Sequence, residues 1–346
     1  MILDPLLDLF RGRAITIPPM DGALKPNTLL DEADALRAAE APDSLAVRGD
    51  QVLYCSGNEV RSLATGAVIA SFPAAITALA VSASGALAAG LESGAVLLDG
   101  TEVQGFNCPV AMAFGGDGAL YVCNGSADLA PSQWATDLMR RNAGGSVWRV
   151  DPKTRARSSL ATGLAFPFGI AVDEAQQRLI VSESWHYRII AIPLGGGKPQ
   201  ALLSTLPGYP ARLMPSGDGY VLALFAPRNR LIEFVLREDH YRMDMMAEID
   251  SRYWIAPSLS ASHSFLEPLQ NGGVRTMGIH KPWSPSRSYG LVVELDSALQ
   301  PLASYHSRAN GTRHGVTSAI RHEGRIIAAS RGGNVILGLE PQGGGA

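Results

Sequence analysis

Histidine is the side chain best suited to proton transfer near neutral pH, because its ordinary pKa is about 6.5. The chain has 7 histidines, and one of them, His314 in "RHGVTSAIRHEG", directly precedes a short apolar strand. Asp43 in "PDSLAVRGD" precedes another such strand near the other end of the sequence. Brought together, the two would form a pair in which His314 moves a proton and Asp43 orients it or balances its charge. The alternative for His314 is a hydrogen bond to a loop carbonyl. Other chemistry is poorly represented. Ser182 in "VSES" lacks the glycines of a nucleophile elbow, and "LGGGKPQ" joins strands instead of opening a helix, so it is no phosphate loop. Cys55, Cys108 and Cys123 are scattered, and no CxxC or HxxxH zinc spacing occurs.

The elements that would position such residues recur along the chain. "PDSLAVRGDQVLYCS", "AITALAVSASGALAAG", "PVAMAFGGDGALYVCN", "PFGIAVDEAQQRLIVSES", "PARLMPSGDGYVLALF" and "HGVTSAIRHEGRIIAAS" each read as strand, polar turn, strand. Further strand-like pieces follow, as in "YRIIAIPLGGGKPQALLS". Four strands per repeat make a propeller blade, and six starts predict an all-β, six-bladed β-propeller. Two repeats are long. Their excess, at residues 125–145 and 237–288, predicts short helical insertions within 125–145 and 237–282 that fold over one end of the channel. We expect a propeller over residues 41–340, an N-terminal segment over 1–40 and a flexible tail at 341–346. "AITIPPMDG", residues 14–22, is the expected closing strand of the last blade, and residues 1–11 read as a short amphipathic surface helix.

Composition narrows the classes of partner. Hydrophobic residues make up 46 % and charged residues 18 % of 346, enough apolar content for a large core. A net charge of −3 gives no reason to expect nucleic acid, and no apolar run is long enough for a spanning helix, so no membrane partner is expected. The odd cysteine count fits a reducing compartment, which points to the cytoplasm.

Two long stretches carry a family resemblance. "GSVWRVDPKTRARSSLATGLAFPFGIAVDEAQQRLIVSESWHYRIIAIPLGG" and "LPGYPARLMPSGDGYVLALFAPRNRLIEFV" resemble the strictosidine-synthase-like family, as do "SYGLVVELDSALQPLASYH" and "VTSAIRHEGRIIAAS". The resemblance spans about residues 100–338 and extends to a wider propeller group with gluconolactonase-type and regucalcin-like hydrolases. It implies a six-bladed propeller with a small-molecule site at the channel mouth.

Superposing the six repeats puts Asp43, Thr77, Val110, Phe168, Ala211 and Val316 at equivalent inner-strand starts, ringing that mouth. In the hydrolytic relatives such positions supply a calcium site, with a carboxylate in the first blade, an Asn in the stretch matching "FPFG" and an Asp in the stretch matching "GYPARL". Here they are Asp43, Phe168 and Ala211. Calcium takes about six to eight oxygen ligands, so no metal and no other cofactor is expected, and Arg212, if it points inward, would repel a dication. The glutamate that strictosidine synthase uses to move a proton matches Val316 or Thr317, which removes the amine–aldehyde condensation as the first reading. What remains is a metal-independent ester or lactone hydrolase with an apolar site. The alternatives are a non-catalytic binding or scaffold propeller and, lower, a lyase or condensing enzyme. Candidate substrate-binding residues are Phe168, Trp134, Asn107, Asn124, Arg212, Thr317, Trp185 and His186. For Asn124 a turn-stabilising role, and for the tryptophans and His186 packing between blades, are the competing readings.

Overall fold

The computed structural model describes residues 17–261 and 286–342, with backbone pairing also at Arg275–Thr276 and Ile279–His280. Six four-stranded antiparallel sheets form the six blades of a β-propeller. The innermost strands are Leu45–Arg48, Ile76–Val81, Pro109–Phe114, Pro167–Asp173, Gly208–Ser216 and Val316–His322. Each touches the next, and the last touches the first, so the ring closes around a central channel. Alternating small and branched apolar residues make this possible. Ala78, Ala80, Ala111, Ala171 and Ala319 are buried where blades converge, and larger residues such as Leu120, Ile180 and Leu222 fill the wider space between neighbouring sheets.

The closing strand differs from expectation. Asp34–Ala38, not residues 14–22, pairs antiparallel with Val335–Leu339 as the outermost strand of the last blade. Residues 14–16 lie outside the described residues, and 17–22 form no strand. "PP" at 18–19 explains this, since proline donates no ladder hydrogen bond. Arg37 extends the closure to the first blade, donating from Nε to the Leu63 carbonyl at 2.7 Å and from Nη2 to that of Ala64 at 2.9 Å.

Both insertions are helical. The first carries the short helix Trp134–Met139. The second starts earlier than the sequence suggests, with Arg230–Arg237 capped by the Asn229 side chain, followed by Asp239–Glu248. Within 262–282 only the pairing of Arg275–Thr276 with Ile279–His280 is described, and residues 1–11 and the tail from 343 lie outside the described residues. No described helix is long and apolar enough to cross a membrane.

A repeated irregularity at the mouth matters most for the site. The pairing of inner strand with second strand slips between Ile76 and Ala78, Pro109 and Ala111, Pro167 and Gly169, Pro210 and Leu213, and Val316 and Ser318. These are β-bulges, which re-aim side chains and free main-chain groups from the ladder. They single out Thr77, Val110, Phe168, the pair Ala211–Arg212, and Thr317.

Candidate functional site at the channel mouth

The bulges correct the ring of mouth residues. Asp43, Thr77, Val110 and Phe168 stand where the repeats put them. In the last blade the bulged residue is Thr317, while Val316 is fully buried in the core. In the fifth blade the bulge takes two residues, and Arg212, not the buried Ala211, reaches the channel.

Arg212 touches every blade. Its own strand is in the fifth. Nη1 donates to Asp43 Oδ1 of the first at 2.5 Å and to the Thr317 carbonyl of the sixth at 3.2 Å. Nη2 donates to the carbonyls of Thr77 in the second at 2.5 Å and Val110 in the third at 2.9 Å. Its guanidinium carbon lies 5.0 Å from the ring centre of Phe168 in the fourth, a cation–π contact. Gly169 permits this placement, because a Cβ there would lie 2.5 Å from the Ala211 carbonyl oxygen and 2.9 Å from Arg212 Cα.

Asp43 is held from two sides. Its second oxygen accepts from Arg331 Nη1 at 2.9 Å. Burial by itself would raise the pKa of Asp43, but Arg212 and Arg331 outweigh it and hold the carboxyl below the ordinary carboxylate value. The side chain is thus a fixed anion. The residues do not fit a calcium ion: both Asp43 oxygens and three main-chain carbonyls face guanidinium groups, and Phe168 and Ala211 bring no side-chain oxygen. Among the described residues no cluster of His, Cys, Asp and Glu could hold a metal.

Above this floor lies a pocket with about 470 Å³ of empty space, part of it open to solvent. Its walls are aromatic: Trp134 from the first insertion, Phe166, Phe168 and Trp185 from the fourth blade, and Phe225 from the fifth. Phe166 and Trp185 stack with ring centres 4.5 Å apart, and Trp134 meets Phe225 edge to face at 5.5 Å. Such pairs contribute about 0.5–1.5 kcal/mol beyond their buried area. Phe166 adopts left-handed backbone, φ 56°, which costs a non-glycine residue energy. The Trp185 stack and a hydrogen bond from the Ser184 N–H to its carbonyl at 3.0 Å hold it there. Polar groups at its edge are Asp43, Thr77, Glu92, Ser132, Thr317 and Arg331.

The insertion is tied down by Asp137. This buried carboxylate accepts from Trp185 Nε1 at 2.7 Å, Ser126 Oγ at 2.6 Å and Asn142 Nδ2 at 3.0 Å. The wall residue Trp185 is therefore hydrogen-bonded to the insertion that carries Trp134.

Several sequence candidates stand elsewhere. His314 is not paired with Asp43. It is fully buried, with Nδ1 2.8 Å from Ser288 Oγ and Nε2 2.8 Å from the Arg308 carbonyl. The loop-carbonyl alternative describes it. Asn124 is also a loop clamp: its Oδ1 accepts from the backbone N–H of Asn107 at 3.1 Å and Cys108 at 2.8 Å. Asn107 bonds the Ala127 carbonyl through its side chain. His186 lies outside the pocket, with Nδ1 3.0 Å from buried Glu183. Burial pushes the thiols of Cys55 and Cys108 up to about 12 and that of Cys123 higher still, so none is a ready nucleophile.

The sequence reading missed Glu92, Arg331, Phe166 and Phe225. Glu92 and Arg331 directly follow the second strands of their blades, Leu87–Leu91 and Arg325–Ser330, and Phe225 lies near the end of another. Extending the repeat superposition from the inner strands to the ends of the second strands would have found these three, while Phe166 precedes the inner strand Pro167–Asp173.

Fold and site together define the class: a six-bladed β-propeller with an aromatic pocket at one channel mouth, floored by an Arg–Asp–Arg cluster. Comparison with known proteins places a name beside that class. A family model described as strictosidine synthase matches residues 113–192. The chain is 24 % identical over 204 residues to STRICTOSIDINE SYNTHASE-LIKE 6 of Arabidopsis thaliana, covering 59 % of this chain and 47 % of that protein. It is 23 % identical over 215 residues to STRICTOSIDINE SYNTHASE-LIKE 4 of the same plant, covering 61 % and 50 %. The alignments thus span about half the length of these relatives. A gluconolactonase from Xanthomonas campestris has a similar structure, with TM-score 0.57 at 15 % identity, covering 94 % of this chain and 95 % of that one. That likeness concerns the fold. The chain is thus a six-bladed propeller similar in sequence to strictosidine-synthase-like proteins.

Proposed function

We propose that the mouth pocket binds a small molecule with a flat, mostly apolar body and a carbonyl or similar acceptor at one end. The observation that carries this reading is the aromatic wall standing directly over a guanidinium-bearing floor. Small-molecule sites commonly combine an apolar lining with a few convergent polar groups. Arg331 is 39 % exposed at its side chain, so it keeps donors for a ligand after bonding Asp43.

Hydrolysis of an ester or lactone is the chemistry this arrangement suits. Arg331 would stabilise negative charge developing on the carbonyl oxygen. Glu92 would take a proton from the water attacking the carbonyl carbon and return it to the departing alkoxide oxygen as the acyl C–O bond breaks. Among the described residues it makes no ion pair, and the hydrogen bond it accepts comes from the Ser132 N–H at 3.1 Å. Asp43 sets the floor charge and His314 supports the loop behind it. Three unpaired, buried cysteines suit the cytoplasm as the location this reading assumes.

The test is a panel of aryl esters and lactones, scored for turnover and for thermal stabilisation of the protein. Glu92→Gln is expected to lower turnover roughly 10²–10⁴-fold with ligand binding retained, and Arg331→Met to weaken both. Turnover unchanged in Glu92→Gln would remove the hydrolase reading. A non-catalytic binding propeller then stands, and one observation favours it: Asp43 and both ring nitrogens of His314 are already engaged in internal contacts.

A further inference from the structure

Arg212 sits in a cage of oxygens. Around its two terminal nitrogens are one carboxylate, from Asp43, and three main-chain carbonyls, from Thr77, Val110 and Thr317, contributed by four different blades. The bulges turn these residues out of regular ladder pairing, so their carbonyls depend on a donor or a cation at the axis. A buried carbonyl without a partner is costly, and four inner strands converging with their oxygens inward would repel one another. Hard cations bind in such surroundings. The resemblance to hydrolytic propellers implies a calcium ion at this height of the channel, yet the residues here do not fit one.

We propose that the Arg212 guanidinium is the chain's own tethered cation, filling an oxygen cage that would otherwise take a free cation and making closure of the ring independent of divalent metal. A guanidinium suits the task. It is planar, carries its charge permanently and offers five donors in a fixed fork, of which four bonds are made to the cage. Nε is buried and unpartnered among the described residues, facing no cage oxygen. The inference does not rest on what the pocket binds.

Thermal unfolding of the full chain tests it. The wild type is expected to show the same transition with millimolar calcium chloride and with a chelator. Arg212→Lys keeps a cation in the cage and Arg212→Met keeps only the volume, so the lysine variant should melt higher than the methionine variant, by roughly 5 °C. Arg212→Ala empties the cage. Its transition should rise on adding about 20 mM guanidinium chloride, far below denaturing strength, and not on adding the same concentration of potassium chloride, because only a ligand of the folded state stabilises it. A chelator-induced fall in the wild type overturns the proposal, as does a methionine variant as stable as the lysine variant. Should Arg212→Ala fail to fold, the lysine–methionine comparison and the chelator experiment decide.

Discussion

Asp43, His314 and His306 show how three ionisable side chains of one molecule acquire different roles from their neighbours. Asp43 keeps its charge because two guanidinium groups outweigh its burial. His314 spends both ring nitrogens on a hydroxyl and a carbonyl. His306 is buried between Tyr289 and Ser304, and burial pushes its pKa down to about 4. The folded state therefore favours its neutral form. In the unfolded chain the group titrates near 6.5, so between these values the unfolded state binds more protons and stability rises with pH. We therefore expect stability to fall as pH drops from about 6.5 to 4, and His306→Gln to flatten that part of the profile. Urea midpoints measured across the range check this. A variant profile as steep as the wild type would assign the pH dependence to other groups.

At the scale of the element, the decisive pieces are the bulged inner strands and the strand that closes the ring. Asp34–Ala38 gives the last blade its fourth strand, and Arg37 crosses to the first blade. Removing it would expose the edge strand Val335–Leu339, whose residues are all buried, and an unpaired apolar edge invites association with other chains. A chain beginning at residue 23 should keep most of its thermal stability. One beginning at residue 39 should melt at least about 10 °C lower and aggregate, as light scattering would record. Equal transitions for the two truncations would show that the ring is closed by other contacts.

The whole molecule is a ring of six similar sheets, and such repeats can unfold piecemeal. Here one side chain, Arg212, makes contact with all six blades at the axis, and the outermost strand of the last blade comes from the other end of the chain. Both features couple blades distant in sequence. Unfolding in urea should accordingly be a single transition, with coincident midpoints from tryptophan fluorescence and far-ultraviolet circular dichroism. Trp148 and Trp185 report on different blades. Separate midpoints would mean that the axial contacts do not bind the blades into one cooperative unit.

The sequence by itself determined the architecture, because period-two apolar strands and polar turns recur six times and each repeat must bury its faces against the next. It also determined that Phe168 and Ala211 bring no oxygen to a metal, since that is a matter of side-chain chemistry. Tertiary structure alone decided which residue reaches the axis. A bulge shifts a strand by one residue or two, and that shift exchanges Val316 for Thr317 and Ala211 for Arg212 without any mark in the hydrophobic pattern. It decided also that His314 faces Ser288 and not Asp43, because the direction of a side chain at a strand's entry depends on loop geometry that residue types do not encode. The closing strand was hidden for a related reason: "DALRA" is short and half exposed, and only the vacant edge of the last blade, supplied by the other end of the chain, makes it a strand.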